Sequence, residues 1–330
     1  MVNANTNIRH KTGKKNSLSL YTSLDTLGQL DNSLYYQGFQ RSKDTKKKPL
    51  DYRALAVYRS KALAKKLMCL DSPLKKAYKR TFYDCCQTMV QEGHKLQTKR
   101  CRSRWCISCN HARQGKIYRQ YGHVLDNMVN PYMVTLTIRN VSGNELRSKI
   151  EGMKSTFVNI SRSIKAMKMP FNCIRSIECT HNAIANTFHP HFHVVIEGKE
   201  TAELLRNKWL KYYPLDTDIK AQDIRPATSL IELIKYVTKL YDIEQPEKIN
   251  VGALDTIFNA ISNTRIFQAY GNIKAINDDI NETEVIENAD IPFKEFAVWR
   301  WHTYDWYDMV TGEKLTNFVP DDTETERMET

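Results

Sequence analysis

Two histidines spaced two apart, His191 and His193, are the strongest chemical signal in the chain. They lie in His189-Pro190-His191-Phe192-His193-Val194-Val195-Ile196-Glu197, where polar and apolar residues alternate at the start. A strand has a side-chain period of two, so the spacing predicts both imidazoles on one face and Phe192, Val194 and Ile196 on the other. The apolar face can enter a core, and the opposite face then presents two nitrogen ligands side by side to a divalent cation. Two imidazoles leave a metal short of ligands. Glu178, in Cys173-Ile174-Arg175-Ser176-Ile177-Glu178-Cys179-Thr180, stands on the face opposite Ile177 and Cys179 and joins the histidine face if the two strands pair. A mixed imidazole and carboxylate site with open positions suits Mn²⁺ or Mg²⁺. His189 is an alternative third ligand, and an ordinary solvated strand residue is the alternative for Glu178.

About forty residues on, a helix is predicted over 230–241, with Leu230, Leu233, Ile234, Val237 and Leu240 as its apolar stripe. Glu232, Tyr236 and Lys239 fall together on a different face. A phenol is a poor nucleophile at neutral pH, but a cation such as Lys235 or Lys239 and a nearby metal make it competent. Its attack on a DNA phosphodiester would leave a phosphotyrosine and a free 3′-hydroxyl. Glu232 is suited to a different task, that of general base on a water molecule. Ser229-x-x-Glu232 also fits a capping box, which would reduce Glu232 to a helix-start acceptor, and Tyr241 is a rival nucleophile.

The cysteines form a second constellation. Cys101-x4-Cys106-x2-Cys109 follows the pair Cys85-Cys86. Four thiolates close a tetrahedral structural zinc site, and Cys86, Cys101, Cys106 and Cys109 are the set expected here, with Cys85 an alternative to Cys86 and His94 and His111 in reserve. Arg100, Arg102, Arg104 and Arg113 crowd this knuckle and offer phosphate contacts. Trp105 either stacks on a base or packs internally. Cys69, Cys173 and Cys179 read as small apolar residues.

The elements that must position these groups follow from composition and pattern. The chain has 330 residues, 49 Lys+Arg against 37 Asp+Glu, and a net charge of +12. Residues 1–125 hold 26 Lys+Arg and 7 Asp+Glu, and the remainder 23 and 30. A basic front half is the footprint of a polyanion binder. No apolar run is long enough to span a bilayer, and the first twenty residues lack the apolar stretch of a signal peptide. The expectation is a cytosolic protein with reduced cysteines. Residues 1–50 read as a basic flexible arm, 51–125 as a helical and cysteine-rich DNA-contact module, 126–245 as the catalytic sheet domain, and 246–330 as a C-terminal extension with an aromatic segment and an acidic tail. Within the sheet domain, strands are predicted at 132–138, 173–180, 191–197 and 219–224, and helices at 143–168, 201–212 and 230–241. That order gives an α+β fold, an antiparallel sheet with helices on one face. Residues 255–275 read as a helix and a turn at Gly271, 276–290 as an acidic loop, and Trp299, Trp301 and Trp306 as core residues of a strand.

Taken together, these segments resemble the rolling-circle replication initiators (Rep) of small bacterial plasmids, which are HUH endonucleases. Met133-Val134-Thr135-Leu136-Thr137-Ile138-Arg139-Asn140 is similar to the family's first motif, and His189-Pro190-His191-Phe192-His193-Val194 to its metal motif. Glu232-x-x-Lys235-Tyr236-x-x-Lys239-x-x-Asp242 resembles the nucleophile motif of the subgroup that pairs one tyrosine with a glutamate. The cysteine segment resembles the family's N-terminal finger-like region, although Ile107 stands where proline is usual. The resemblance covers roughly residues 60–275. It implies an HUH-type sheet, strand-specific nicking of single-stranded DNA at the plasmid origin, a 5′-phosphate held on Tyr236, and extension of the 3′ end by a host polymerase with a host helicase. It also implies a second, hydrolytic cleavage through Glu232 at termination. A related HUH transposase or relaxase, or a non-catalytic zinc-containing DNA-binding regulator, are the alternative readings.

Overall fold

The computed structural model describes residues 49–230, 233, 250–275, 283–287, 291–322 and 325. Its backbone is two five-stranded antiparallel sheets with helices between and around them. The chain enters through α1 (Pro49–Met68) and α2 (Lys75–Tyr83). The helical start of the 51–125 module is thus two helices, broken at Asp71-Ser72-Pro73, because proline cannot continue a helix. Next come a hairpin, β1 (Thr88–Gly93) and β2 (Lys95–Lys99), then α3 (Ile107–Tyr121) and the short α4 (Val124–Asn127). The hairpin was not among the expected elements. Its alternation, Met89 and Gln91 buried against exposed Thr88 and Glu92, is only a few residues long and is interrupted by Gly93, whose φ of +60° makes the turn.

The sheet that carries the histidines has the order β6-β3-β5-β4-β7. Its strands are β3 (Pro131–Thr137), β4 (Cys173–Asn182), β5 (Thr187–Glu197), β6 (Asp223–Pro226) and β7 (Gln268–Tyr270). The strand expected at 219–224 begins later, after a single 3-10 turn at Ile219–Ala221. One face of the sheet, with Val134, Leu136, Phe192, Val194 and Ile196, is covered by α5 (Leu146–Ala166), α6 (Lys199–Tyr212) and α7 (Val251–Ile261). In α5, Leu146, Ile150, Met153, Phe157, Ile160 and Ile164 recur at three- and four-residue spacing and are buried, which is why the segment is helical and how it docks. The indole N–H of Trp209 on α6 donates to the Thr137 carbonyl at 2.9 Å and fixes that helix to the end of β3.

The expected placement of helices on one face describes this layer, but the opposite face is not bare. Beyond the histidines it continues into Met133, Ile174 and Val195, which pack with Ile117, Val124, Leu230 and Leu233. Arg175 was expected in a strand, and alternation sends it into the apolar layer. Its guanidinium is fully buried and lies 4.7 Å from the Phe192 ring centre, 5.4 Å from Phe157 and 5.8 Å from Tyr270. Three ring faces supply the electrostatic partner that a carboxylate would otherwise be.

The other sheet has the order β10-β9-β1-β2-β8, from β8 (Thr283–Glu287), β9 (Lys294–His302) and β10 (Asp305–Asp308). Residues 276–290, expected as a loop, therefore contain a strand: β8 pairs with β2 from Thr283↔Lys99 to Glu287↔Lys95. The segment after 245 is threaded through both sheets, with α7 and β7 in one layer and β8 to β10 in the other. Trp299, Trp301 and Trp306 are buried against α1 and the cysteines, as their alternation predicts. Among the described residues no helix is long and apolar enough to cross a membrane.

Asp305 is buried in this second core, where it accepts hydrogen bonds from the Trp306 amide (2.7 Å) and the Thr316 hydroxyl (2.9 Å). Burial outweighs these bonds and pushes its carboxyl up to about 6. A folded-state pKa above the unfolded value of 3.8 means that the folded chain holds the proton more tightly, so this group's contribution declines as pH rises from 3.8 to 6 and is level above. The stability difference between wild type and Asp305→Asn, from urea melts across that window, should move in favour of the variant as pH rises. A pH-independent difference would contradict this.

Candidate metal centres

Glu178, His191 and His193 meet because β4 and β5 pair in one register. Glu178 is directly across from His191, and Ser176 from His193. Glu178 Oε2 lies 2.9 Å from His193 Nε2 and 3.2 Å from His191 Nε2, and the two rings are 4.9 Å apart and nearly perpendicular. The three residues are 4–8% exposed. Their ligand atoms all lie within 4.8 Å of one another, so the group could hold a metal ion. Burial alone would raise the Glu178 carboxyl, but hydrogen bonds from His191 and His193 outweigh it and hold it down at about 2. Burial pushes the His193 imidazole down, against the pull of Glu178. An ionised carboxylate and a neutral imidazole are the ligand forms that a divalent cation requires.

The remaining ring nitrogens are oriented by neighbours. His193 Nδ1 is 3.3 Å from Thr135 Oγ1 on β3, and His191 Nδ1 is 3.1 Å from the His189 carbonyl. His189 stacks on His191 at 5.2 Å but stands outside the three-residue group. Thr135 and Ser176 were missed as neighbours of the site. Each is legible by alternation: Ser176 is two residues from Glu178, and its buried hydroxyl has no hydrogen-bond partner among the described residues.

Glu232, Lys235, Tyr236 and Lys239 lie outside the described residues, as does Tyr241. Of the same segment, Leu230 and Leu233 are described and buried. They pack with Val195, which alternation puts on the face of His193 and His191.

The second group is Cys85, Cys101, Cys106 and Cys109, all buried. Sulfur separations of 3.7 Å (Cys85–Cys106), 3.6 Å (Cys85–Cys109) and 3.5 Å (Cys101–Cys109) match the roughly 3.8 Å that tetrahedral Zn–S bonds of ~2.3 Å would set. This corrects the expected set by one residue. Cys85 stands where Cys86 was placed, because Cys86 takes a positive φ of 51° and turns its sulfur toward the Ser108 hydroxyl, 3.9 Å away. Neither reserve histidine is in the group, and His94 instead bonds the Ile291 carbonyl. Hydrogen bonding within the cluster pulls the Cys101 thiol down and pushes Cys85 up, while burial pushes Cys106 up. Sulfurs this close cannot all ionise without a cation among them.

The knuckle arginines are largely engaged inside the protein. Arg100 donates to the Ser108 carbonyl and hydroxyl, Arg104 to the Ile261 carbonyl, and Arg113 to Asn110 and the Arg102 carbonyl. Arg102 is exposed. Trp105 packs internally: its N–H donates to Thr81 Oγ1 at 3.1 Å, and its ring meets Tyr78 at 5.1 Å and Phe258 at 5.7 Å.

Comparison with known proteins agrees with these segments. Residues 93–201 match the profile of a family described as "Replication protein". The chain is 25% identical over 217 residues to "Protein rep" of Streptococcus pneumoniae serotype 2, covering 58% of this chain and 67% of that protein. It is 26% identical over 248 residues to "Protein rep" of Bacillus amyloliquefaciens, covering 60% and 73%. It is also 27% identical over 207 residues to "Replication protein" of Staphylococcus aureus, covering 53% and 88%. No solved structure matches.

Zinc content of the purified protein tests the thiol assignment. Cys85→Ser should lose the bound metal and lower the thermal midpoint, whereas Cys86→Ser should keep both. The reverse result would restore Cys86 to the set.

Proposed function

We propose that this chain, which belongs to the replication protein family, initiates rolling-circle replication of a bacterial plasmid by nicking and rejoining one DNA strand at the origin. In this reading it is an HUH-type endonuclease of the single-tyrosine-plus-glutamate kind, working in the cytoplasm. The observation that carries it is the buried Glu178–His191–His193 group on one sheet face, with Leu230 and Leu233 of the tyrosine segment seated on that same face.

The roles follow from chemistry. Lys235 and Lys239 lower the cost of ionising the Tyr236 phenol. Its oxygen attacks the scissile phosphorus, the bond to the 3′-oxygen breaks, and the departing oxygen takes up a proton. The phosphate stays on Tyr236 through the 5′ side, and the free 3′-hydroxyl is a primer for a host polymerase, with a host helicase opening the duplex. At termination Glu232 takes a proton from a water that attacks the second scissile phosphate, so no second tyrosine is needed. Bound at Glu178, His191 and His193, Mn²⁺ or Mg²⁺ supplies positive charge to the phosphate oxygens as negative charge builds there. Glu178 and His193 are already in their ligating forms, and the strand pair holds them without reorganisation. The Cys85, Cys101, Cys106 and Cys109 group is assigned to a structural Zn²⁺, and the exposed Arg102 to the DNA-facing side of that module, while Arg100, Arg104 and Arg113 brace its loop from within.

Single-stranded DNA from the chain's own plasmid origin, incubated with the protein and Mn²⁺ and run on a denaturing gel, should give a covalent protein–DNA species. Tyr236→Phe should abolish it, and His193→Ala should reduce it by about 10²-fold or more, the scale of a lost electrostatic stabiliser. Glu232→Ala should leave the first nick intact and impair the second. Binding to duplex DNA with no adduct under any of these conditions would favour a non-catalytic DNA-binding regulator.

A further inference from the structure

Among the described residues, the sheet β10-β9-β1-β2-β8 has one closed face and one open one. Met89, Leu96, Trp299, Trp301 and Trp306 close the first against α1 and the cysteines. On the open face the register aligns a row of side chains across four strands. Tyr307 is opposite Arg300, Arg300 is opposite Thr88, and the β1–β2 register continues to Lys99. Arg300, Thr88 and Lys99 are exposed and Tyr307 is half-buried. At the usual strand spacing of about 4.8 Å the row is roughly 14 Å long. His302, also exposed, lies beside Tyr307 with ring centres 6.1 Å apart and nearly perpendicular.

The charge on this end of the face is one-sided. By register two carboxylates besides Asp305, Glu92 and Glu287, fall on this face, and both stand at the far end, across from Lys95. Asp305 is across from His302 but is buried and accepts from Thr316. No ion pair between Arg300 or Lys99 and a carboxylate occurs among the described residues. Two cations in line with a tyrosine ring, with a histidine ring beside it, on an exposed sheet face complement a polyanion whose bases are free to stack. In a duplex the base faces are occupied by their neighbours, so the ring contributes nothing there.

We propose that this open face binds single-stranded nucleic acid, with a base stacked on Tyr307 and successive phosphates held by Arg300 and Lys99. The proposal rests on the DNA-handling reading above but not on its cleavage chemistry. It gives the protein a second place for the displaced or nicked strand, outside the Glu178–His191–His193 centre.

Fluorescence anisotropy of the full chain with a labelled oligothymidylate of about 20 nucleotides, and with a duplex of equal length, tests it. The oligomer carries no origin sequence, so cleavage does not enter. Tyr307→Ala should weaken single-strand binding roughly tenfold with no change in salt dependence, and Tyr307→Phe should restore it. Arg300→Ala with Lys99→Ala should reduce the slope of log affinity against log salt by about 1.4, the value for two phosphate contacts on a single strand. Tyr307→Ala should leave duplex affinity unchanged, and neither variant should change adduct formation on a short origin oligonucleotide. Unaltered single-strand affinity and slope, or a Tyr307→Ala loss of equal size on duplex, would overturn the proposal. Loss of single-strand binding in these variants of a protein that forms no adduct would uphold it and sink the nicking reading instead.

Discussion

The register between β4 and β5 is the constraint from which the rest of the site follows. Cross-strand pairing puts Glu178 opposite His191 and Ser176 opposite His193, and it puts Ile177 opposite Phe192 on the other face. Because strands alternate, a slip of one residue would drive the Glu178 carboxylate into the layer of Phe157 and Phe192 and expose Ile177. The apolar layer therefore enforces the polar one. Phe157, Phe192, Val194 and Ile196 are fully buried, and the stability they contribute is what holds an ionised carboxylate and two imidazoles together where little water reaches. The three ligand atoms already lie together, so little reorganisation would oppose the binding of a cation.

The cysteine group is joined to this layer rather than appended to it. Trp105, next to Cys106, lies between Tyr78 of α2 and Phe258 of α7. Asp255 of α7 accepts from the hydroxyls of Ser72 (2.6 Å) and Tyr78 (2.5 Å), and burial with this bond pushes the Tyr78 phenol far above its usual range. Arg104 donates to the last carbonyl of α7. A metal held by the thiols would thus brace the first helices and the far side of the histidine sheet through the core that Trp105 joins. The second sheet adds to that brace from the other direction, since its tryptophans and α1 enclose the same sulfurs.

Much of this was legible in the chain. Alternation in residues 189–197 and 173–180 determined which side chains share a face, and the spacing of Leu146, Ile150, Met153 and Phe157 determined an amphipathic helix, because both periods are local properties of the backbone. Cys101, Cys106 and Cys109 were identified by type and spacing. Tertiary structure alone decided between Cys85 and Cys86, since adjacent residues differ only in where a positive φ sends the sulfur. It also decided that Arg175 is capped by rings from three separate elements, a partner no local rule supplies. And it decided that β1 and β2, short and weakly patterned, are completed by strands about two hundred residues away. Strand pairing at that distance is set by which edges remain free once the helices have packed, and no stretch of sequence records it by itself.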